Sequence, residues 1–408
     1  MTIYPFLVAG AFGLVIAYLL TPVVGWLATQ MGVLDRPGGR HIHRAPVPRL
    51  GGLAIYLAFV AAVLVGLPVE RPIHVAFESQ RITIVVPYLP AIDRPIVALL
   101  LGATVITLVG AFDDIRGTRP LVKLIGQIAA AAVLLPFGVG MDVLTNPLGG
   151  MFFVGPLGAI VTVVWIVALC NVMNLIDGVD GLASGIAAIA GTTLLVASYH
   201  RGDVGTAILA AALAGGALGF IPYNFNPARI FLGDTGSMLL GYLLGALSVL
   251  GTYKSYTALS LLVALAALGV PVTDTAFAIV RRWRNHRPIF EADTQHLHHR
   301  LLARGLTPRQ TTAVLYLVTG ILSAGALMVT GVGRFPIIAI LGLLLALLAL
   351  GARRTGLLVP SPAAATAGST AADLQPAAGP PVSPPLAPAG PVAPAAGDHV
   401  IEAGSNEQ

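Results

Sequence analysis

The chain has 408 residues, of which 56% are hydrophobic and only 10% charged, and its mean hydropathy is +0.86. Soluble domains carry roughly 25% charged residues, so this composition excludes an ordinary soluble enzyme and points to a chain that crosses a membrane many times. The net charge of +5 is spread over short segments between apolar runs, which excludes a nucleic-acid-binding surface and favours membrane orientation and anionic ligands. Cys170 is the single cysteine, so no disulfide forms within the chain.

Apolar runs of roughly 18 or more residues mark membrane-spanning helices. The sequence predicts about eleven, near 3–27, 50–68, 93–112, 121–140, 155–174, 181–199, 204–222, 235–252, 256–280, 311–331 and 335–352. The first lacks a basic leader and a small-residue cleavage site, so it reads as a retained helix. An odd number of spans sets the two termini on opposite sides. With the N-terminus outside, the outer loops keep only Arg71, Arg81, Arg94, Arg201, Lys254 and Arg334 of the 23 Lys and Arg residues. The rest face the cytoplasm, as the positive-inside rule requires. The expected architecture is therefore all-α and polytopic, with the N-terminus outside and the C-terminus cytoplasmic. An integral-membrane unit covers 1–354, and a disordered Pro/Ala-rich cytoplasmic tail covers 355–408.

Five polar clusters fall on the predicted cytoplasmic side. They are "DRPGGRHIHRAPVPRLGG" (35–52), "AFDDIRGTRP" (111–120), "NVMNLIDGVDGLASG" (171–185), "NFNPARIFLGDTGS" (224–237) and "RRWRNHRPIFEADTQHLHHRLL" (281–302). Loops from different helix pairs converging on one face are what an active site needs. Asp113 and Asp114 end an apolar helix, where carboxylates oppose the helix dipole and repel each other unless a cation or shared proton relieves them. Lys123, one helix on, favours a phosphate or metal role for the pair. Asn171, Asn174, Asp177 and Asp180 recur every three residues and drift by about 60° per step on an ideal helix, until Gly178 and Gly181 break it. Their oxygens are hard ligands suited to Mg²⁺; interhelical hydrogen bonding is the plainer reading.

Asp234 in "FLGDTGS" sits where a helix begins, so it reads either as a helix cap or as a site carboxylate. Phe231 offers a ring on which a base could stack, or simple packing. Arg281, Arg282 and Arg284 suit bidentate phosphate contacts, with topology and lipid headgroups as the plainer reading. His296, His298 and His299 lack the companions of a zinc site and read as hydrogen-bond donors to a phosphate or sugar. No Walker loop, nucleophile elbow or zinc signature is present in the sequence. Carboxylates and amides for Mg²⁺, with Lys, Arg and His around phosphates, fit phosphoryl transfer between a soluble nucleotide-like donor and a lipid acceptor. A transporter is the rival reading, but it would place polar groups near the midplane of paired pseudo-symmetric halves.

The ordered set "RHIHRAPVPRLGG", "FDDIRG", "NVMNLIDGVDGLASG", "NPARIFLGDTGS" and "DTQHLHHRLL" resembles the polyprenyl-phosphate N-acetylhexosamine-1-phosphate transferase family over roughly residues 1–350. The "QHLHH" loop behind an Arg-rich segment is similar to that of the bacterial undecaprenyl-phosphate GlcNAc-1-phosphate transferases. The alternative within the same chemistry is the phospho-MurNAc-pentapeptide branch or another UDP-HexNAc donor. The resemblance implies Mg²⁺, or Mn²⁺ in its place, on Asn174 and Asp234, and a catalytic group of Asp113, Asp114 and Lys123. It further implies a nucleotide site of Asp177, Asp180 and Phe231, and a phosphate and sugar grip by Arg281, Arg282, Arg284, His296, His298 and His299. The implied partners are UDP-GlcNAc and undecaprenyl phosphate at the cytoplasmic face of a bacterial cell membrane, with a homodimer left open.

Overall fold

In the computed structural model, residues 4–35, 46–66, 69–77, 80–88, 94–145, 151–255, 259–284 and 296–329 are described. The elements run α1 (Tyr4–Gln30), β1 (Leu34–Asp35), β2 (Val47–Pro48), α2 (Gly51–Gly66), β3 (Val69–Phe77), β4 (Gln80–Tyr88), α3 (Arg94–Arg116) and α4 (Pro120–Ala132). They continue as β5 (Val143–Thr145), β6 (Met151–Phe153), α5 (Leu157–Ile176), α6 (Leu182–His200), α7 (Val204–Asn224), α8 (Gly233–Ser255), α9 (Leu259–Ala267), α10 (Gly269–Arg284), α11 (Leu297–Ala303) and α12 (Pro308–Val329).

Eight helices among the described residues are long and apolar enough to cross a membrane. They coincide with eight of the predicted spans. The run at 50–68 forms the shorter helix α2, of 16 residues. The run at 256–280 divides into α9 and α10 around Leu268. "GVP" at Gly269–Pro271 explains the break, since proline fits a first helical turn and not a helix interior. The predicted span at 335–352 and the tail at 355–408 lie outside the described residues.

Among the described residues, three antiparallel two-stranded ribbons depart from a purely helical chain. All lie in connections. The longest pairs Val69 with Tyr88 through Phe77 with Gln80, and its Val-, Ile- and Thr-rich strands are too short for a span and suit a pleated ribbon.

Helix α8 is the centre of the bundle. Met238, Leu239, Leu240, Tyr242, Leu243, Leu244 and Leu247 on it are fully buried, and it packs against α3, α5, α2 and α9. Around it, α1 packs on α7 and α2, and α7 on α6. Leu7, Leu14, Tyr18, Leu19 and Trp26 of α1 stay exposed, an apolar outer face suited to lipid. Helices in lipid gain little from burying leucines against one another, so close packing carries more of the association. At Gly110 of α3 an added Cβ would lie 2.5 Å from Thr235 Cα and 2.7 Å from the Asp234 carbonyl oxygen of α8. This contact brings the charged ends of the two helices together.

Gly110→Ala should therefore force α3 away from α8. The expected cost is about 1–3 kcal/mol, typical of overpacking, read as a lowered thermal midpoint in detergent. Gly320→Ala on α12, where a Cβ would meet nothing within 4 Å, should leave the midpoint unchanged.

Candidate active site

The carboxylates of Asp113 and Asp114 are adjacent in sequence but serve different neighbours. Side chains one residue apart on a helix diverge by about 100°. Asp113 accepts from the Thr118 N–H at 2.8 Å and from the Thr118 hydroxyl, and it pairs with Lys123 Nζ at 2.8 Å. Asp114 is buried and faces the start of α8. It accepts from the Asp234 N–H at 3.0 Å, the Thr235 N–H at 2.9 Å and the Thr235 hydroxyl at 2.6 Å. The first N–H groups of a helix have no partner inside it; here a carboxylate from another helix supplies one.

The capping of α8 by Asp114 leaves the Asp234 side chain for other contacts. Asp234 pairs with Lys123 and accepts from Asn174 Nδ2 at 3.0 Å; Asn174 also donates to Ser237 at 2.9 Å. Lys123 thus stands between Asp113 and Asp234, supplied by the first turn of α4, where Pro120 starts the helix. One oxygen each of Asp113, Asp114 and Asp234 lie within 4.8 Å of one another. This donor set fits a hard divalent cation. Two of these carboxylates pair with the single ammonium of Lys123, and Asn174 adds an amide oxygen. Asp114 holds the start of α8 in place, and Asp234, Asn174 and Asp113 are the residues that could hold such an ion on exchanging their present contacts.

The predicted helix break follows Asn174. Helix α5 stops at Ile176, Gly181 takes φ +79°, and α6 begins at Leu182. Asn171 turns away to Gln127 at 2.8 Å and to the Val167 carbonyl. Asp180 accepts from Asn226 Nδ2 at 2.9 Å and the Ala228 N–H at 3.0 Å, and so ties down the segment that leads to Phe231. Burial first, and then the nearby carboxylates of Asp234 and Asp114, push the Asp177 carboxyl well above the usual carboxylate range.

A cavity of about 710 Å³ opens here, lined among others by Asn174, Asp177, Asp180, Phe231, Asp234 and His299. All five polar clusters send residues to the cavity or to the charged group beside it. The other predicted residues stand apart from the lining. Asp113 and Lys123 adjoin it through Asp234. Arg281, Arg282 and Arg284 occupy the last turn of α10. His296 is buried and meets Asp274 Oδ2 through Nδ1 at 3.1 Å, while the Leu297 N–H donates to Asp274 Oδ1 at 2.9 Å. Asp274 therefore anchors α11, a role missed in the sequence, although a lone acid in an apolar run was a signal for it. His298 is 2% exposed, and its ring nitrogen Nε2 would lie 2.8 Å from a Cβ on Gly178. Only a glycine at 178 lets α11 approach this closely. Thr118, Thr235 and Ser237 were also missed, since each acts only as a partner to a carboxylate or amide brought from elsewhere.

Over 351 residues the chain is 36% identical to the probable undecaprenyl-phosphate N-acetylglucosaminyl 1-phosphate transferase of Bacillus subtilis (strain 168), covering 86% of this chain and 92% of that one. Residues 96–252 match the model of glycosyl transferase family 4. The chain belongs to this family. Within it, the chain is 37% identical over 348 residues to the decaprenyl-phosphate N-acetylglucosaminephosphotransferase of Mycobacterium tuberculosis (strain ATCC 25618 / H37Rv), covering 78% and 80% of the two chains. It is 24% identical over 307 residues to the undecaprenyl-phosphate alpha-N-acetylglucosaminyl 1-phosphate transferase of Escherichia coli (strain K12), covering 73% and 77%. The matched family segment contains Asp113, Asp114, Lys123, Asn174, Asp177, Asp180, Phe231 and Asp234. Arg49 and the histidines of α11 lie beyond it.

Burial, and then the neighbouring His299 and His296, lower the His298 pKa from 6.5 to about 3. The folded protein then refuses a proton that the unfolded chain accepts. His298 contributes stability that is fully present above pH 6.5 and is lost as pH falls toward 3. The thermal midpoint should drop across that window, and His298→Gln should remove a slope of at most about 1.4 kcal/mol per pH unit. An unchanged acid dependence in the variant would contradict a neutral buried imidazole.

Proposed function

We propose that the protein transfers GlcNAc-1-phosphate from UDP-GlcNAc to undecaprenyl phosphate, giving undecaprenyl-pyrophosphoryl-GlcNAc and UMP, at the cytoplasmic face of a bacterial cell membrane. The observation that carries this reading is the Lys123 bridge between Asp113 and Asp234 at the edge of a cavity that also holds Phe231. It joins a cationic phosphate contact, hard oxygen ligands and a stacking ring in one place. The names of the full-length relatives agree with it. The one-sided distribution of Lys and Arg supports a cytoplasmic site.

A phosphate oxygen of the lipid attacks the β-phosphorus of the donor, and the bond to UMP breaks with its electron pair leaving on UMP. The acceptor monoester has its second pKa near about 6, so it is largely dianionic at neutral pH and no residue is required to deprotonate it. The barrier comes mainly from bringing two anions together, so positioning and charge neutralisation dominate. Lys123 is fixed by two carboxylates where its ammonium meets the phosphates. Asp234, Asn174 and Asp113 would hold Mg²⁺ or Mn²⁺, which would further neutralise phosphate charge. Phe231 stacks on the base, and Asp180 keeps the 226–228 segment in place beside it. Asp177, within the cavity, faces the nucleotide, and His299 donates to the phosphates or sugar. The arginines of α10 draw anionic substrates to the surface.

Protein purified in detergent and supplied with labelled UDP-GlcNAc, undecaprenyl phosphate and Mg²⁺ should release UMP and form the lipid-linked sugar. Asp234→Ala should lower turnover by about 100-fold or more, as removal of one electrostatic contact to a transition state does. Turnover with UDP-MurNAc-pentapeptide alone would move the protein to the peptidoglycan branch. Inactivity with every UDP-sugar would overturn the reading.

A further inference from the structure

Arg49 is the one permanent cation among the described residues that line the cavity, and the reaction above leaves it without a task. Its guanidinium Nε is buried with no hydrogen-bond partner. Arg49 as a whole is half-buried and lines the cavity; a buried N–H left unpaired is unfavourable, and an anion bound in the cavity would answer it. Two of the carboxylates that line the cavity are engaged elsewhere. Asp180 is bound by Asn226 and Ala228, and Asp234 by Lys123 and Asn174. Asp177 feels the charge of Arg49, but no hydrogen bond joins the two among the described residues.

The backbone around Arg49 is held from several directions. β1 pairs with β2 through Leu34 with Pro48 and Asp35 with Val47, and the Arg49 N–H donates to the Val33 carbonyl at 3.1 Å. On the other side, the Phe231 N–H donates to Pro48 at 2.8 Å, and the Gly51 and Gly52 N–H groups donate to Phe231 and Leu232 at 3.0 and 2.9 Å. Leu50, the next residue, has φ +77°, the only non-glycine in the left-handed region among the described residues. Such strain persists where surroundings enforce it, commonly at ligand sites. Arg49 is thus presented on a rigid frame bonded directly to the backbone of Phe231.

We propose that Arg49 is a nucleotide-binding residue whose guanidinium holds the diphosphate of a nucleoside-diphosphate sugar in this cavity. The inference rests on the reading of the cavity as a nucleotide-sugar site and adds the residue that matches the donor's charge there. The planar fork of the guanidinium suits two phosphate oxygens at once. Its attachment to the Phe231 segment places that charge on the nucleotide side of the cavity.

Calorimetric binding of uridine, UMP and UDP to the full chain in detergent with Mg²⁺ present tests it. Arg49→Ala should weaken UDP binding by about ten- to a hundredfold while uridine binding stays unchanged, and Arg49→Lys should recover part of the loss. Arg49→Gln, which keeps a donor but no charge, should also lose UDP affinity. Wild-type UDP affinity in either Arg49→Ala or Arg49→Gln would overturn the proposal alone, as would equal losses for uridine and UDP. A wild-type protein that binds no UDP would overturn both the proposal and the nucleotide-sugar reading beneath it.

Discussion

A carboxylate on one helix closes the open end of another, and the rest of the site follows from that contact. Asp114 of α3 takes the first N–H groups of α8 inside the protein, where water is scarce and an unpaired N–H is costly. The helix dipole and the negative charge favour the same arrangement. The absence of a side chain at Gly110 lets the two backbones come close enough for it. With the end of α8 pinned, Asp234 lies opposite Asp113, and Lys123 has two carboxylates to bridge.

The polar groups then divide by what they are bonded to. Asp114, Asp180, Asp274 and His296 spend their hydrogen bonds on backbone and side chains of other segments, and so hold those segments in place. Asp113, Asp234, Asn174 and Lys123 form a shared group at the cavity edge that a divalent cation and phosphates can enter. Arg49 is poised on the opposite count, with a buried donor and no partner. A bundle this poor in charge concentrates its ionisable groups where anions must be brought together.

Much of this was legible in the sequence because apolar length and polar interruption are local properties. Eight of the eleven predicted spans, the break between Asn174 and Leu182, and the gathering of five polar clusters follow from runs and spacings alone. The division of α9 from α10 was written in "GVP" but hidden by the continuous hydrophobicity around it. Which member of "DD" faces Lys123 depends on the rotation of α3 against α8, a packing property with no local signature. Asp234 looked equally like a cap or a ligand, because the group that caps α8 lies 120 residues upstream in the chain. The pairing of His296 with Asp274 likewise needs the fold, since only α10 and α11 together create it. Arg49 was counted for topology, and only the fold reveals that it lines the cavity with a buried Nε left without a hydrogen bond.

The central claim is that the Lys123 bridge marks the place where the two phosphates meet. The most direct measurement is UMP release from UDP-GlcNAc with undecaprenyl phosphate by Lys123→Ala, beside Arg119→Ala one turn away and outside the charged group. Lys123→Ala should lose about 100-fold or more in turnover while its thermal midpoint shows a folded protein, and Arg119→Ala should turn over like the wild type. Turnover near the wild-type level in Lys123→Ala would contradict the claim and move the reaction centre elsewhere.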